Sequence, residues 1–442
     1  MGTRLKSRRQ FLLSLAGVGG AVLALSCAPA AAPTPTPAPA PAPAAPKPAS
    51  APTKPGAREL IFYTGLTGPD GQIMRDMVGD HNKTGGDQVN IEIMPWVDML
   101  AKMVATMAAG SPLDVVLFHP VRLKQFVEQD ALFPMMDYLA PLGVKLDDYL
   151  PEPVKWCTIA GKLYALPMDQ HQWNIWLRTD IAEKAGLDPK NPPTNRTEFM
   201  QWATKLTTKE GGNITVGGFE PGYPYPWSLT WSAIHSNGGA VYNEDWTKCI
   251  INSPEAAEAI EWVISLYDNV SAKSTNVADN FVKGVTAQQI SGPWNIPGLT
   301  NSLGKGFDVY LMPTLFKKRV VTASAHSWAL PRQRDQSRVE ATAKFIKWMS
   351  DNSLGWAASG QIPVKKSIIE SDAFKKLPYR KVFVDSIPHT FMWSNVRFYS
   401  ELVSPTGAER KNFEMIITKQ VSIKEGLERM QREINEVLNR PK

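Results

Sequence analysis

The chain has 442 residues, 43% of them hydrophobic and 20% charged, so it holds material for two or three cores and is not a disordered chain. Its formal net charge of +6 is local: Arg4, Lys6, Arg8, Arg9, Lys47 and Lys54 lie in the first 57 residues, where there is no acid. Subtracting these six from 48 leaves 42 basic against 42 acidic residues beyond them, which excludes the broad basic surface that nucleic-acid backbones demand.

The first element in chain order is a targeting device. A basic stretch carrying SRRQFLL at 7–13 leads into an apolar run over 11–25, and Ala-Leu-Ser-Cys ends at Cys27. The run is shorter than the roughly 20 apolar residues that cross a bilayer. It resembles a twin-arginine export signal joined to a bacterial lipobox, although Ala24 stands where leucine is usual. That resemblance implies acylation of Cys27 and an extracytoplasmic chain anchored to the membrane. Residues 28–57 are almost wholly Ala, Pro and Thr with eleven prolines, a composition that favours polyproline II and reads as a tether.

The globular part begins as a βαβ unit. A strand over 59–63, a glycine-rich turn over 65–71, a helix through Met74 and Met77, and a strand over 89–94 follow one another. A helix over 97–108 stops at Gly110, and the apolar strand 114–118 suits a sheet covered on both faces. The pattern predicts a doubly wound α/β domain whose ligands bind beyond the carboxyl ends of the strands. Further helices start at Asn195 with Glu198, a capping box, at Ser253-Pro254-Glu255, and before the face formed by Val339, Ala343, Ile346 and Met349. Their Trp and Met residues read as packing. Pro221, Pro224 and Pro226 interleave with Tyr225 and Trp227 ahead of Trp231, which argues for a rigid loop. Cys157 and Cys249 fit either a disulfide in an exported chain or two small buried side chains.

Several segments resemble, in order, the extracellular solute-binding proteins of sugar importers, the group that includes maltose-binding protein. They are AAGSPLDVVLF (108–118), GKLYALPMD (161–169), IWLRTDIAEKAGLDP (175–189), PPTNRTEFMQWATKL (192–206), SNGGAVYNE (236–244), SGPWNIPGL (291–299), ALPRQRDQSRVEATAKFIKWM (329–349) and SGQIPVKKS (359–367). Trp176-Leu177-Arg178 and Leu113-Asp114 depart from the group's pattern. The resemblance implies a two-lobed periplasmic-binding-protein-like fold of type II, each lobe a doubly wound sheet with helices on both faces. It divides the chain into a leader (1–27), a tether (28–57), a first lobe (58–168 plus 315–357) and a second (169–312 plus 361–442), with passages near 168–170, 312–315 and 357–361. The implied partners are a small hydrophilic solute, most naturally a sugar, and the permease subunits of an ABC importer. A monomer without cofactor, metal, catalysis or nucleic acid is expected.

A neutral hydrophilic ligand needs flat apolar faces and hydrogen-bonding side chains. Matching the motifs nominates Trp294 and Asn295, and Asp169, Gln170 and His171 after the first passage. Phe118 and His119 end a strand, while Tyr225, Trp227, Trp231, Trp96 and Trp328 are further aromatic candidates; ordinary packing competes at each. A charged solute (a glycerophosphate, polyamine or peptide) and a receptor for a sensor are the other binding readings. The enzyme reading rests on Ser302-x-x-Lys305, Ser350-Asp351-Asn352 and Lys83-Thr84-Gly85, motifs of penicillin-recognising enzymes, but in the wrong chain order. The six histidines are scattered, which gives no metal-ligand spacing.

Overall fold

The computed structural model describes residues 57–111 and 113–441; the leader, Cys27 and all of the tether but its last residue lie outside the described residues. The strands Glu59–Thr64, Gln88–Ile93 and Val115–Phe118 pair in parallel, with Glu59 opposite Gln88 and Phe62 opposite Val115. Two antiparallel strands, Ser327–Ala329 and Ala165–Pro167, complete a five-stranded sheet. The helices Pro69–Lys83, Trp96–Ala108 and Gln336–Asp351 accompany it. Its core draws on residues from 60–168 and 328–364, including Phe62, Leu117, Trp328 and Phe345. Asp114, fully buried, ties these layers together: it accepts from the Ile61 amide at 2.7 Å and from the Arg338 guanidinium at 2.5 Å.

The second lobe distributes its strands over two larger sheets and a hairpin of Thr208–Glu210 with Asn213–Val216. Asn174–Arg178 is flanked antiparallel by Gln288–Ser291 and Phe307–Tyr310. The other sheet runs Ile362–Pro363, Asp169–Gln172, Val321–Ser324, Thr390–Met392. Around them pack Arg196–Leu206 and Pro254–Asn269, whose starts are capped by Asn195 and Ser253 accepting from Glu198 and Ala256 amides. The amphipathic Ile423–Leu438 closes the lobe through Leu427, Met430 and Ile434.

The chain leaves the first sheet at Met168, between Ala165–Pro167 and Asp169–Gln172. It returns later than 312–315, because Val321–Ser324 still pairs with Asp169–Gln172 and Thr390–Met392, and only Ser327 enters the five-stranded sheet. A third passage follows Trp356, which sits in the first core, while Ala357 sits in a satellite core of the second lobe.

One local expectation fails. Trp227–Ser236 is a helix, not a loop, because the prolines end at Pro226, which precedes its first turn and needs no intrahelical donor. Cys157 and Cys249 are free and buried thiols, and burial pushes Cys157 up to about 12. Among the described residues, no helix is long and apolar enough to cross a membrane. The penicillin-type motifs do not assemble: Ser350 bonds Tyr149 at 2.5 Å, Lys83 pairs with Asp80 on the surface, and Ser302 lies in the last turn of Ile296–Leu303.

Candidate functional site

A cavity of about 260 Å³ opens between the lobes. The first lobe supplies the loop from Gly65 to Asp70, Trp96 and His119; the second supplies His171, Trp173, Trp294 and Gln361; His326 comes from a passage between them. This location follows from topology, since Gly65 and His119 continue the carboxyl ends of parallel strands. Two glycines let the rings lie back against backbone. A Cβ on Gly65 would come within 2.1 Å of the Trp96 ring, and one on Gly292 within 1.9 Å of the Trp294 ring, so any side chain there would displace the indole.

The floor is built on Asp169, fully buried. Its carboxylate accepts from the His326 amide at 2.8 Å, His326 Nδ1 at 2.7 Å, His171 Nδ1 at 3.1 Å and Trp356 Nε1 at 2.7 Å. Burial alone would raise this acid, but the His326 charge and the two imidazole hydrogen bonds outweigh it and hold Asp169 below the usual carboxylate range. His326 is the counterpart: burial opposes its charge, yet Asp169, with Asp70 more weakly, raises its pKa. Burial depresses His171 against the pull of Asp169, and depresses His119 further with help from the neighbouring His326 and His171. Asp70 is raised chiefly by burial.

The walls are aromatic. Trp96 stacks on His326 with centroids 5.8 Å apart and 11° between planes. Trp173 meets Trp294 edge-on at 5.2 Å and is backed by Trp227 at 5.0 Å and Trp393 at 5.5 Å. Gln361 is fully buried on the cavity wall, and both its amide atoms are without a hydrogen-bond partner among the described residues. Such an amide costs free energy unless a ligand or water completes it.

The sequence candidates divide accordingly. Trp294, Trp96, His119 and His171 line the cavity, and Asp169 lies directly beneath. Gln170 points to the opposite side of its strand, donating to Thr390 at 3.0 Å. Asn295 donates to Ser291 at 2.8 Å, and Trp227 stands behind Trp173. Four candidates are corrected to packing roles. Phe118 faces Phe126, Trp328 lies between Phe62 and Phe345, Trp231 packs on Phe413, and Tyr225 packs on Phe413 while donating to Glu409. Trp173, His326, Gln361 and Asp70 were missed. Strand alternation over 169, 171 and 173 could have found Trp173; His326 and Gln361 depend on long-range pairing.

Two α/β lobes with indoles and imidazoles turned into the space between them define a two-lobed binding protein. The profile of the bacterial extracellular solute-binding proteins matches residues 76–382, and the chain belongs to that family. A binding protein of Brucella abortus is 26% identical over 245 residues, 52% of this chain and 56% of the relative, so the chain spans about half the length of the curated relatives it matches first. The sn-glycerol-3-phosphate-binding periplasmic protein of Pectobacterium atrosepticum is 19% identical over 71% of this chain and 75% of its own length. A solute-binding protein of an ABC transporter from Thermotoga lettingae, solved with α-D-tagatose, shares the fold at a TM-score of 0.76 and 17% identity, covering 87% of this chain and all of that one.

Proposed function

We infer that the chain is the solute receptor of an ABC importer and takes a small neutral sugar between its lobes. The observation that carries this reading is the composition of the cavity wall. Three indoles offer flat apolar faces, Gln361 offers an unspent donor and acceptor, and among the described residues no lysine or arginine lines the wall. Its volume lies at or below the usual range of about 300–1,000 Å³ for ligand pockets, which favours one or two sugar rings over a long chain. A phosphate ester would call for arginine or lysine, and the helix N-terminus at Pro69 on the cavity carries Asp70, an acid that disfavours an anion. The relative that binds glycerol 3-phosphate therefore does not set the ligand class here.

The lobes in this reading are 58–168 with 327–356, and 169–324 with 357–442, hinged at the three passages. Ligand binding to the closed form would shift the population toward it, and permease subunits would read that closure. Acylated Cys27 would anchor the chain, and the proline-rich tether would let it work clear of the membrane surface. The captured solute leaves unaltered, so no catalytic role is assigned.

A melting-temperature screen against monosaccharides, disaccharides and glycerol 3-phosphate tests the reading. A sugar at a hundred times its Kd should stabilise the chain by about 2.7 kcal/mol. A rise with glycerol 3-phosphate alone, or turnover of a bound sugar, contradicts it.

A further inference from the structure

We propose that Asp169 is the pin of the hinge, a positioning residue whose one carboxylate clasps all three passages between the lobes and couples them to the wall that the solute touches. Asp169 opens the first strand after the passage at Met168. His326 lies in the second passage, between Val321–Ser324 and Ser327–Ala329, and gives that carboxylate both its amide, at 2.8 Å, and Nδ1, at 2.7 Å. Trp356 ends the helix Ser353–Trp356 at the third passage and donates Nε1 at 2.7 Å. An ionised carboxylate only accepts, so one side chain can gather donors from several directions at once. The main chain repeats the clasp: the Met168 amide donates to the His326 carbonyl at 2.8 Å, and the Val364 amide donates to the Met168 carbonyl at 3.3 Å. The rings of His326 and Trp356 meet edge-on at 6.2 Å.

The consequence is mechanical. A hinge absorbs its rotation at a few residues, and three segments held to one fully buried carboxylate turn about an axis near that point. Each passage also presents one side chain to the cavity: His171 just beyond Asp169, His326 itself, and Gln361 shortly after Trp356. On the reading that a sugar sits there, a solute touching these three side chains acts on all the passages together. Lobes restricted to one axis then lose less freedom on closing over it, which favours capture. Trp356 is fully buried and lies off the cavity wall, so its Nε1 bond reaches the solute through Asp169.

The test is amide hydrogen exchange of the full-length chain, read by mass spectrometry, with Asp169→Asn and Trp356→Phe. Asp169→Asn keeps the size but turns one acceptor into a donor among N–H groups, whereas Trp356→Phe keeps a ring and removes one bond. Without solute, Asp169→Asn should speed exchange at 165–173, 322–329 and 354–363 together by about tenfold or more, the factor implied by losing hydrogen bonds to a charged acceptor. Pro254–Asn269, in the core of the second lobe, should keep its wild-type rate. Trp356→Phe should speed the same three segments by a smaller common factor, and should weaken binding of the sugar that best stabilises the wild type by about threefold or more. Faster exchange confined to the substituted segment, or spread evenly over the chain, overturns the proposal. Should circular dichroism show Asp169→Asn unfolded, Trp356→Phe decides alone. The exchange pattern is read without solute, so a chain that binds no sugar sinks the proposed ligand while the pin still stands or falls on exchange.

Discussion

Asp169 and Glu409 are both buried carboxylates, and their surroundings differ in one respect. Glu409 accepts from the hydroxyls of Tyr225 at 3.0 Å and Tyr242 at 2.7 Å, and those rings are packed among Trp231, Phe413 and Trp246. Its partners are neutral, so burial wins over the two hydroxyls and raises its pKa. Asp169 is held by basic rings, so it stays ionised, and its partners keep a nitrogen each beside a cavity. Burial alone does not mark a site; hydrogen-bonding capacity left over after the protein has satisfied itself does.

The comparison can be broken most severely at Asp169. Asp169→Leu removes one partner of a buried charged network and should cost about 3–5 kcal/mol in urea unfolding while abolishing solute binding in calorimetry. A variant as stable as the wild type, or one that still binds, would place the site elsewhere. Next comes Glu220, a third buried acid with neutral partners in Ser271 and the Ser274 amide, which burial pushes up to about 7 from an ordinary 4.5. Because the folded pKa is the higher one, its stabilisation is complete below pH 4.5 and is lost as pH rises to about 7. At 1.36 kcal/mol per unit, the loss is on the order of 3 kcal/mol. Unfolding of Glu220→Gln at pH 4 and pH 8 should show the variant gaining that much relative to wild type at the higher pH; parallel curves would reject the assignment.

Smaller effects sharpen the contrast. Glu409→Gln should cost about 1–3 kcal/mol through its tyrosine bonds and leave sugar affinity untouched, since nothing in that network reaches the cavity. Trp294→Ala should do the reverse. Sugar affinity should fall tenfold or more, about 1.4 kcal/mol, with an unfolding midpoint close to wild type, because this indole lines the cavity and is only partly buried. Equal effects of both substitutions on affinity would erase the distinction between the regions.

Most of the fold was legible because its signals are local. The βαβ opening, the capping box at Asn195 and the Ser253 start all lie within a few residues of the element they set. Proline placement misled at Trp227 because proline forbids a helix interior but suits the residues just before one. The site was half legible. Motif positions led to Trp294 and His171, and the end of a parallel strand led to His119, but grouping neighbours such as Asp169, Gln170 and His171 ignored that successive strand residues face opposite ways. The same oversight put Phe118 beside His119, though Phe118 belongs to the core and His119 to the cavity. His326 and Gln361 were invisible because pairing between distant strands brings them in.

The location of the solute is tested most directly by a crystal structure of the chain with the sugar that raises its melting temperature most. The sugar should lie between Trp96, Trp173 and Trp294 with the Gln361 amide within hydrogen-bonding distance. A sugar seated instead in the outer groove beside Arg196 and Trp262, with the space between the lobes left to water, would contradict the account.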